Sequence, residues 1–368
     1  MKKVIYFVSE DWVFLNHRID LAKKIQKKGY KIVLVTKTTH YKKEIEKNNI
    51  KVIPIKTERG SLNIRKAIKN IFQLRKIIKN EKTKIIHNFG LKQIILGTLA
   101  SAFSKTKVAN SIIGLGSIFI SKKFFLKFLI TNILRLILFS KRSVLLVQNK
   151  DDYLFFNKKI FVNKNNLFIN TTSGIDLKKI SAKKEKGGKI IFLFASRLIK
   201  DKGLIELIEA SKKLHKLNKN FLLYIAGKID SDNPSSIDID YIKSLNAFNY
   251  IKYLGHVKNM SELYQNIHIA ILPSYREGLP KGLLEAAAHS KPIITTDVPG
   301  CKEIVKDNIN GYIVNPKNID ELTSSMKKIL SSKKKRILMG KKSREIIKKN
   351  FLLDKTVNDL IKIYNNLL

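Results

Sequence analysis

Residues 274–300 read SYREGLPKGLLEAAAHSKPIITTDVPG. They begin at the end of a short apolar run, IAILPS (269–274). A glycine turn, a helix-like run and a second strand-like run, KPIITT (291–296), follow. Strand, turn, helix and strand make the unit from which parallel sheets are wound. Two carboxylates, Glu277 and Glu285, stand on either side of Gly278, Pro280 and Gly282. Glycines let backbone N–H groups approach a ligand, and a helix start near Pro280 adds its positive dipole end, so the turn suits a phosphate. A carboxylate repels phosphate but accepts hydrogen bonds from sugar hydroxyls. An ordinary strand–turn–helix with an acid near its helix N-terminus would read the same way.

The unit recurs in both directions. Upstream, VIYFV (4–8), KIVLVT (31–36), KVIPI (51–55), KIIHNF (84–89), VANSII (108–113), SVLLVQ (143–148) and NLFIN (166–170) alternate with amphipathic runs. The series restarts at KIIFLFASRL (189–198) and continues through FLLYIAG, YIKYLG, IAILPS, KPIITT and NGYIV. Between the two lies KKISAKKEKGGK (178–189), which has linker composition. The expectation is α/β: two doubly wound Rossmann-like domains over 1–170 and 171–352, facing across a cleft. A terminal helix over 353–368 would pack back on the first. Ligands of such sheets bind beyond the carboxyl ends of the strands. There ASRLIKDKG (195–203) places Arg197 and Lys202, a planar guanidinium and an ammonium suited to a diphosphate.

The 368 residues carry a net charge of +43 and are 44% hydrophobic, which excludes wholesale disorder. A single cysteine, Cys301, excludes an internal disulfide and fits a reducing cytoplasm. No secretory signal is read, because Glu10 and Asp11 interrupt the first apolar run. The basic excess suits nucleic acid or anionic lipid. No nucleic-acid motif accompanies it, and a chain-wide bias toward Lys, Ile and Asn would also produce it.

The second half resembles the nucleotide-sugar domain of retaining glycosyltransferases of the GT-B fold, the large family of sucrose synthases and bacterial mannosyltransferases. ASRLIKDKG, YIAGK, YLGHV, LPSYREGLPKGLLEAAAHSKPIITTDVPGCKEIV and NGYIV carry the resemblance. The first half resembles a narrower group that builds O-antigen and capsule glycans on polyprenyl diphosphate. Its pieces are SEDWVFLNHRIDLA (9–22), RGSLN (59–63), IIHNFGLKQIILGTLA (85–100) and IIGLGSIF (112–119). The resemblance implies that Arg197 and Lys202 neutralise the donor diphosphate. Amides around Gly278 and Leu279 would hold its distal phosphate, Glu285 the ribose hydroxyls, and Glu277 the transferred hexose. Two positions depart from the family pattern. Ser290 stands where a glycine often ends the helix, and Phe89 stands where many members carry a second histidine after His87.

In the first domain Gly114 and Gly116 allow close backbone approach to donor or acceptor. His17, Arg18, His87 and Lys92 are acceptor candidates, although a lone histidine is more often structural. FFLKFLITNILRLILF (124–139) is short for a hydrocarbon core of ~30 Å. It reads as a buried helix or as an interfacial one helped by Lys122 and Lys123.

The expected protein is a cytoplasmic, peripheral-membrane, retaining and metal-independent hexosyltransferase without a cofactor. It would move a sugar from a UDP-sugar to a polyprenyl-diphosphate-linked saccharide. The nearest acidic pair, in DID (238–240), follows no strand. A phospholipid glycosyltransferase, a non-hydrolysing nucleotide-sugar epimerase and a basic nucleic-acid-binding protein stay open. A donor screen separates the enzymes from the last. An epimerase would also need an acid–base set.

Overall fold

A computed structural model describes residues 2–57, 63–114, 124–138, 140, 142–160, 162, 164–183, 185, 187–231 and 233–368. Gly116, Lys122 and Lys123 lie outside the described residues. The chain forms two compact units. Unit 1 is Met1–Gly174 with Leu353–Leu368, and unit 2 is Ile175–Leu352.

Among the described residues unit 1 contains seven strands: β1 (Lys2–Glu10), β2 (Tyr30–Lys37), β3 (Lys51–Pro54), β4 (Ile85–Phe89), β5 (Lys107–Ser111), β6 (Ser143–Val147) and β7 (Leu167–Ile169). All are parallel, in the order β3-β2-β1-β4-β5-β6-β7. Their sequences are mostly apolar and buried because helices cover both faces, with polar residues such as His87, Asn88 and Asn110 buried among them. One face carries α1 (Asp11–His17), α2 (Ile19–Gln26) and the terminal helix α9 (Leu353–Leu367). The other carries α3 (Ile64–Asn80), α4 (Leu91–Ser101) and α5 (Phe124–Leu138). The first helical stretch begins at Asp11, directly after β1, and breaks at Arg18.

Unit 2 contains β8 (Ile190–Ala195), β9 (Phe221–Ala226), β10 (Ile251–Gly255), β11 (Ile269–Leu272), β12 (Ile293–Thr296) and β13 (Gly311–Val314). They too are parallel, in the order β10-β9-β8-β11-β12-β13. The helices that matter for the site are α6 (Leu204–Leu217) and α7 (Lys281–Ala288), with α8 (Lys333–Asn350) packed on α7. The segment with linker composition is tied to α8. Glu185 accepts from Arg336 Nη2 at 2.7 Å, and Arg344 Nη2 donates to the Ile180 carbonyl at 3.0 Å.

In each sheet the strand order reverses direction once. The switch lies between β1 and β4 in unit 1 and between β8 and β11 in unit 2. A doubly wound sheet opens a crevice at that point, because the flanking connections leave toward opposite faces.

Candidate active site

The switch point of unit 2 brings two sequence-predicted residues together. Lys202 leaves a 3-10 turn after β8, and Glu277 follows β11. Their Nζ and Oε1 atoms lie 2.5 Å apart, with the side chains 13% and 10% exposed. Arg197 makes a second such pair, Nη1 to Asp230 Oδ2, at 2.5 Å. Asp230 follows β9 and was not singled out in the sequence; its only signal was its place just beyond a strand end.

Backbone contacts hold these loops together, and they require glycine. Gly203 has φ +71, and a Cβ there would lie 2.0 Å from the Pro273 carbonyl oxygen. That contact seats Lys202 beside the exit of β11. Gly300 has φ +80, and a Cβ there would lie 2.3 Å from the carbonyl oxygen of Gly278. Side-chain bonds complete the lock. Ser274 Oγ donates to the Asp201 carbonyl at 3.1 Å, and the Tyr275 hydroxyl donates to Glu206 Oε1 at 2.5 Å. Burial first, and then Glu206, push the Tyr275 phenol far above its ordinary value, so it stays a donor.

Helix α7 begins immediately after the turn. Its N-cap is Pro280, which supplies no side-chain hydrogen bond. Gly278 and Leu279 are buried beside this helix start. The Tyr264 hydroxyl donates to the Gly282 carbonyl at 2.9 Å and so fixes the first turn. Glu285 is half-buried one turn further on and pairs with Lys281 at 3.3 Å. The arrangement therefore offers an amide-rich helix start and three cation–carboxylate pairs at the carboxyl end of one sheet. It can hold an anion beside polyhydroxyl groups. Cys301 is buried nearby, and burial pushes its thiol up to about 12, which leaves it no nucleophile.

Beyond the C-cap His289 of α7, Ser290 lies in the left-handed region, φ +58. The departure noted from sequence is thus a non-glycine residue in a conformation that favours glycine. Asp238 of DID caps a short helix, its side chain accepting from the Asp240 amide. Among the described residues no group of three His, Cys, Asp or Glu is placed to hold a metal ion.

The acceptor candidates of unit 1 are placed very differently. His87 lies on β4 with no exposure. Its Nδ1 meets the Tyr364 hydroxyl at 2.5 Å and its Nε2 meets Ser111 Oγ at 2.6 Å. Burial, and then the Arg18 charge, hold its pKa well below the ordinary value. Arg18 is also buried and donates to the Thr172 carbonyl at 2.8 Å and Ser173 Oγ at 2.9 Å. Phe89 lies between them, 4.0 Å from the His87 ring and 5.2 Å from the Arg18 guanidinium carbon. His87 and Arg18, expected as acceptor residues, are both buried and engaged in internal packing in this structure. His17 is exposed at the end of α1. Lys92 is half-buried at the second position of α4, whose N-cap Gly90 has φ +101. Gly114 has φ +134. From the sequence, the strand-end acids Glu10 and Asp11 show only as an interruption of the first apolar run and as part of SEDWVFLNHRIDLA. Asp11 is fully buried and accepts from Trp12 N, Thr39 N and Thr39 Oγ1 at 2.8, 2.5 and 2.7 Å.

Comparison with known proteins agrees with this fold. The glycosyl transferases group 1 family matches residues 176–346, and the glycosyl transferase 4-like family matches residues 3–149. One relative is the N,N'-diacetylbacillosaminyl-diphospho-undecaprenol alpha-1,3-N-acetylgalactosaminyltransferase of Campylobacter jejuni. It is 27% identical over 89% of this chain and 90% of its own length. Another is the UDP-Gal:alpha-D-GlcNAc-diphosphoundecaprenol alpha-1,3-galactosyltransferase of Escherichia coli, 22% identical over 83% and 81%. Among solved structures, Anabaena HepE in complex with UDP-glucose superposes with a TM-score of 0.79 at 15% identity, covering 100% of both chains. Two parallel sheets of seven and six strands, each matched by its own glycosyltransferase family, make this chain a GT-B glycosyltransferase of the group 1 family.

Proposed function

We propose that the protein transfers a hexose or N-acetylhexosamine from a UDP-sugar to a saccharide carried on a polyprenyl diphosphate, with retention, in surface-glycan synthesis. The acceptor class is that of the C. jejuni and E. coli relatives, and the E. coli relative uses UDP-galactose. The observation that carries the reading is the Lys202–Glu277 pair at the switch point, beside the start of α7.

A donor diphosphate entering there competes with Glu277 for Lys202 and with Asp230 for Arg197. The exchange does two things at once. It places two cations and the helix dipole on the leaving diphosphate, where charge develops as the glycosidic bond breaks. It also frees the Glu277 carboxylate to accept from the hydroxyls of the transferred sugar. Glu285, on the helix behind the phosphate turn, is left to the ribose. The acceptor hydroxyl attacks from the leaving-group face, and a donor phosphate oxygen takes its proton. Unit 1 would receive the acceptor through His17, Lys92 and the backbone at Gly114. The product stays lipid-linked, and the protein works at the inner face of the plasma membrane.

The test is a screen of UDP-, GDP- and dTDP-sugars, read by slow donor hydrolysis and by transfer to a lipid-linked saccharide. UDP-sugar turnover is the expected result. Turnover with GDP- or dTDP-sugars alone rejects the donor assignment. Turnover without transfer to the lipid-linked saccharide rejects the acceptor.

A further inference from the structure

Helices α3, α4 and α5 lie side by side on one face of the unit 1 sheet, and their outward surfaces are unlike those of the opposite layer. On α3, Ile64, Ile68 and Phe72 recur every four residues with 74%, 48% and 67% exposure. Leu99 ends the exposed row on α4, and Phe128, Leu129 and Leu136 lie exposed on α5. Phe103, just beyond α4, is 95% exposed and held at φ +61, a conformation that costs a bulky residue. Among the described residues, α1, α2 and α9 on the other sheet face expose no large apolar side chain.

The charge of this layer is as one-sided as its hydrophobicity. Arg65, Lys66, Lys69, Arg75, Lys76 and Lys79 are all exposed on α3. Residues 59–150 contain 19 Lys and Arg but a single carboxylate, Glu81. That carboxylate is already engaged by Lys3 at 3.0 Å and Lys51 at 2.5 Å. The rest of the chain has 53 basic and 28 acidic residues. A chain-wide lysine bias would not empty one region of acids.

We infer that this helix layer docks the protein on an anionic lipid bilayer. Ile64, Ile68 and Phe72 enter the boundary between headgroups and acyl chains, and the α3 cations meet the lipid phosphates. An exposed basic helix with an apolar stripe is the chemistry of an interfacial helix. No described helix is long and apolar enough to cross a membrane, so the contact is peripheral. A nucleic acid would use the cations but leave the Ile and Phe stripe without a partner. A second copy of the chain would set this basic layer against its like. α5 serves both readings of its sequence: Ile130, Leu134 and Leu138 are buried while Phe128, Leu129 and Leu136 face out. The docking explains how a lipid-linked acceptor is met, but it does not depend on that reading, since it is measured without donor or acceptor.

The experiment is co-sedimentation of the full chain with vesicles of phosphatidylcholine alone and of phosphatidylcholine with phosphatidylglycerol. Binding should require the anionic lipid and weaken with salt. Lys69→Glu with Lys76→Glu should weaken it by roughly 25-fold or more, at about fivefold for each lysine lost from the surface. Ile68→Ser with Phe72→Ser should weaken it by a similar factor, which a charge effect alone would not produce. All four residues are exposed, so circular dichroism and donor hydrolysis should be unchanged. The control reverses Lys23 and Lys27, exposed on the opposite layer, and should bind as the wild type does. Equal binding to both vesicles, wild-type binding by the α3 variants, or an equal loss in the control would each overturn the inference. So would duplex DNA binding that matches the anionic vesicles and ignores the Ile68/Phe72 change.

Discussion

The two switch points occupy equivalent places in two sheets of similar topology, yet they hold opposite kinds of chemistry. In unit 2 the crevice between β8 and β11 is spanned by Lys202 and Glu277, which pair with each other and keep 13% and 10% exposure. In unit 1 the strands β1 and β4 that flank the switch point carry the Arg18–Phe89–His87 stack on the face covered by α1, α2 and α9, where it is sealed from solvent. A parallel sheet provides the opening; side-chain size and burial decide whether it binds or packs. An ion pair can be exchanged for a ligand at modest cost. A buried imidazole with both nitrogens bonded cannot, because its partners would be left unsatisfied.

The largest test of this contrast is the ion pair. Lys202→Ala and Glu277→Ala should each lower transfer by about 10²–10³-fold, the scale of a lost charge-stabilising group. Stability should fall as well, since each variant leaves a charge only 10–13% exposed without its partner, so transfer is compared per folded molecule. Wild-type turnover in both would remove the pair from the chemistry.

Gly300→Ala attacks the same edge through its backbone. A Cβ 2.3 Å from the Gly278 carbonyl oxygen, at φ +80, should cost about 2 kcal/mol or more and displace the phosphate turn. Denaturant unfolding and donor KM together would register it. A variant with wild-type values for both would separate Gly300 from the site.

On the unit 1 side, His87→Ala should cost about 2–3 kcal/mol in unfolding free energy, because the Tyr364 and Ser111 hydroxyls lose a buried partner. Turnover of the folded variant should fall less than threefold. A 100-fold loss with unchanged stability would return His87 to the acceptor site. The pH profile follows from the same burial. The folded state keeps His87 neutral, while the unfolded state protonates it below about 6.5. The unfolded state then binds more protons, so this contribution is full above about pH 6.5 and is lost as pH falls toward the depressed folded value. His87→Ala should therefore lose less stability than the wild type between pH 7 and pH 5.

The smallest effect lies behind the phosphate helix. Ser290→Gly relieves φ +58 and should raise unfolding free energy by about 0.5–1 kcal/mol with no change in turnover. A destabilised variant would mean that Ser290 contributes more through its side chain than its backbone costs.

Much of this was legible in the residues. Strands buried on both faces are continuous apolar runs, so each of the thirteen was marked by a short stretch of Val, Ile, Leu and Phe. The phosphate turn was marked by its glycines and by the helix that follows it. Glu277, Lys202 and Arg197 could be found because strand ends are where a parallel sheet binds. What remained hidden were the partners. Lys202 and Glu277 are 75 residues apart, and nothing local says that they touch. Asp230 is one of several acids in a polar loop. His87 and Tyr364 are 277 residues apart, so the burial that makes His87 structural could not be read from KIIHNF.

The amino-acid sequence by itself determined the two parallel sheets, the phosphate turn and the basic excess, because each rests on residues near one another along the chain. Tertiary structure alone decided which charges pair, which histidine is sealed and which helix layer carries an uncompensated charge. Those outcomes depend on side chains brought together from distant segments, and on how much water the fold leaves around them.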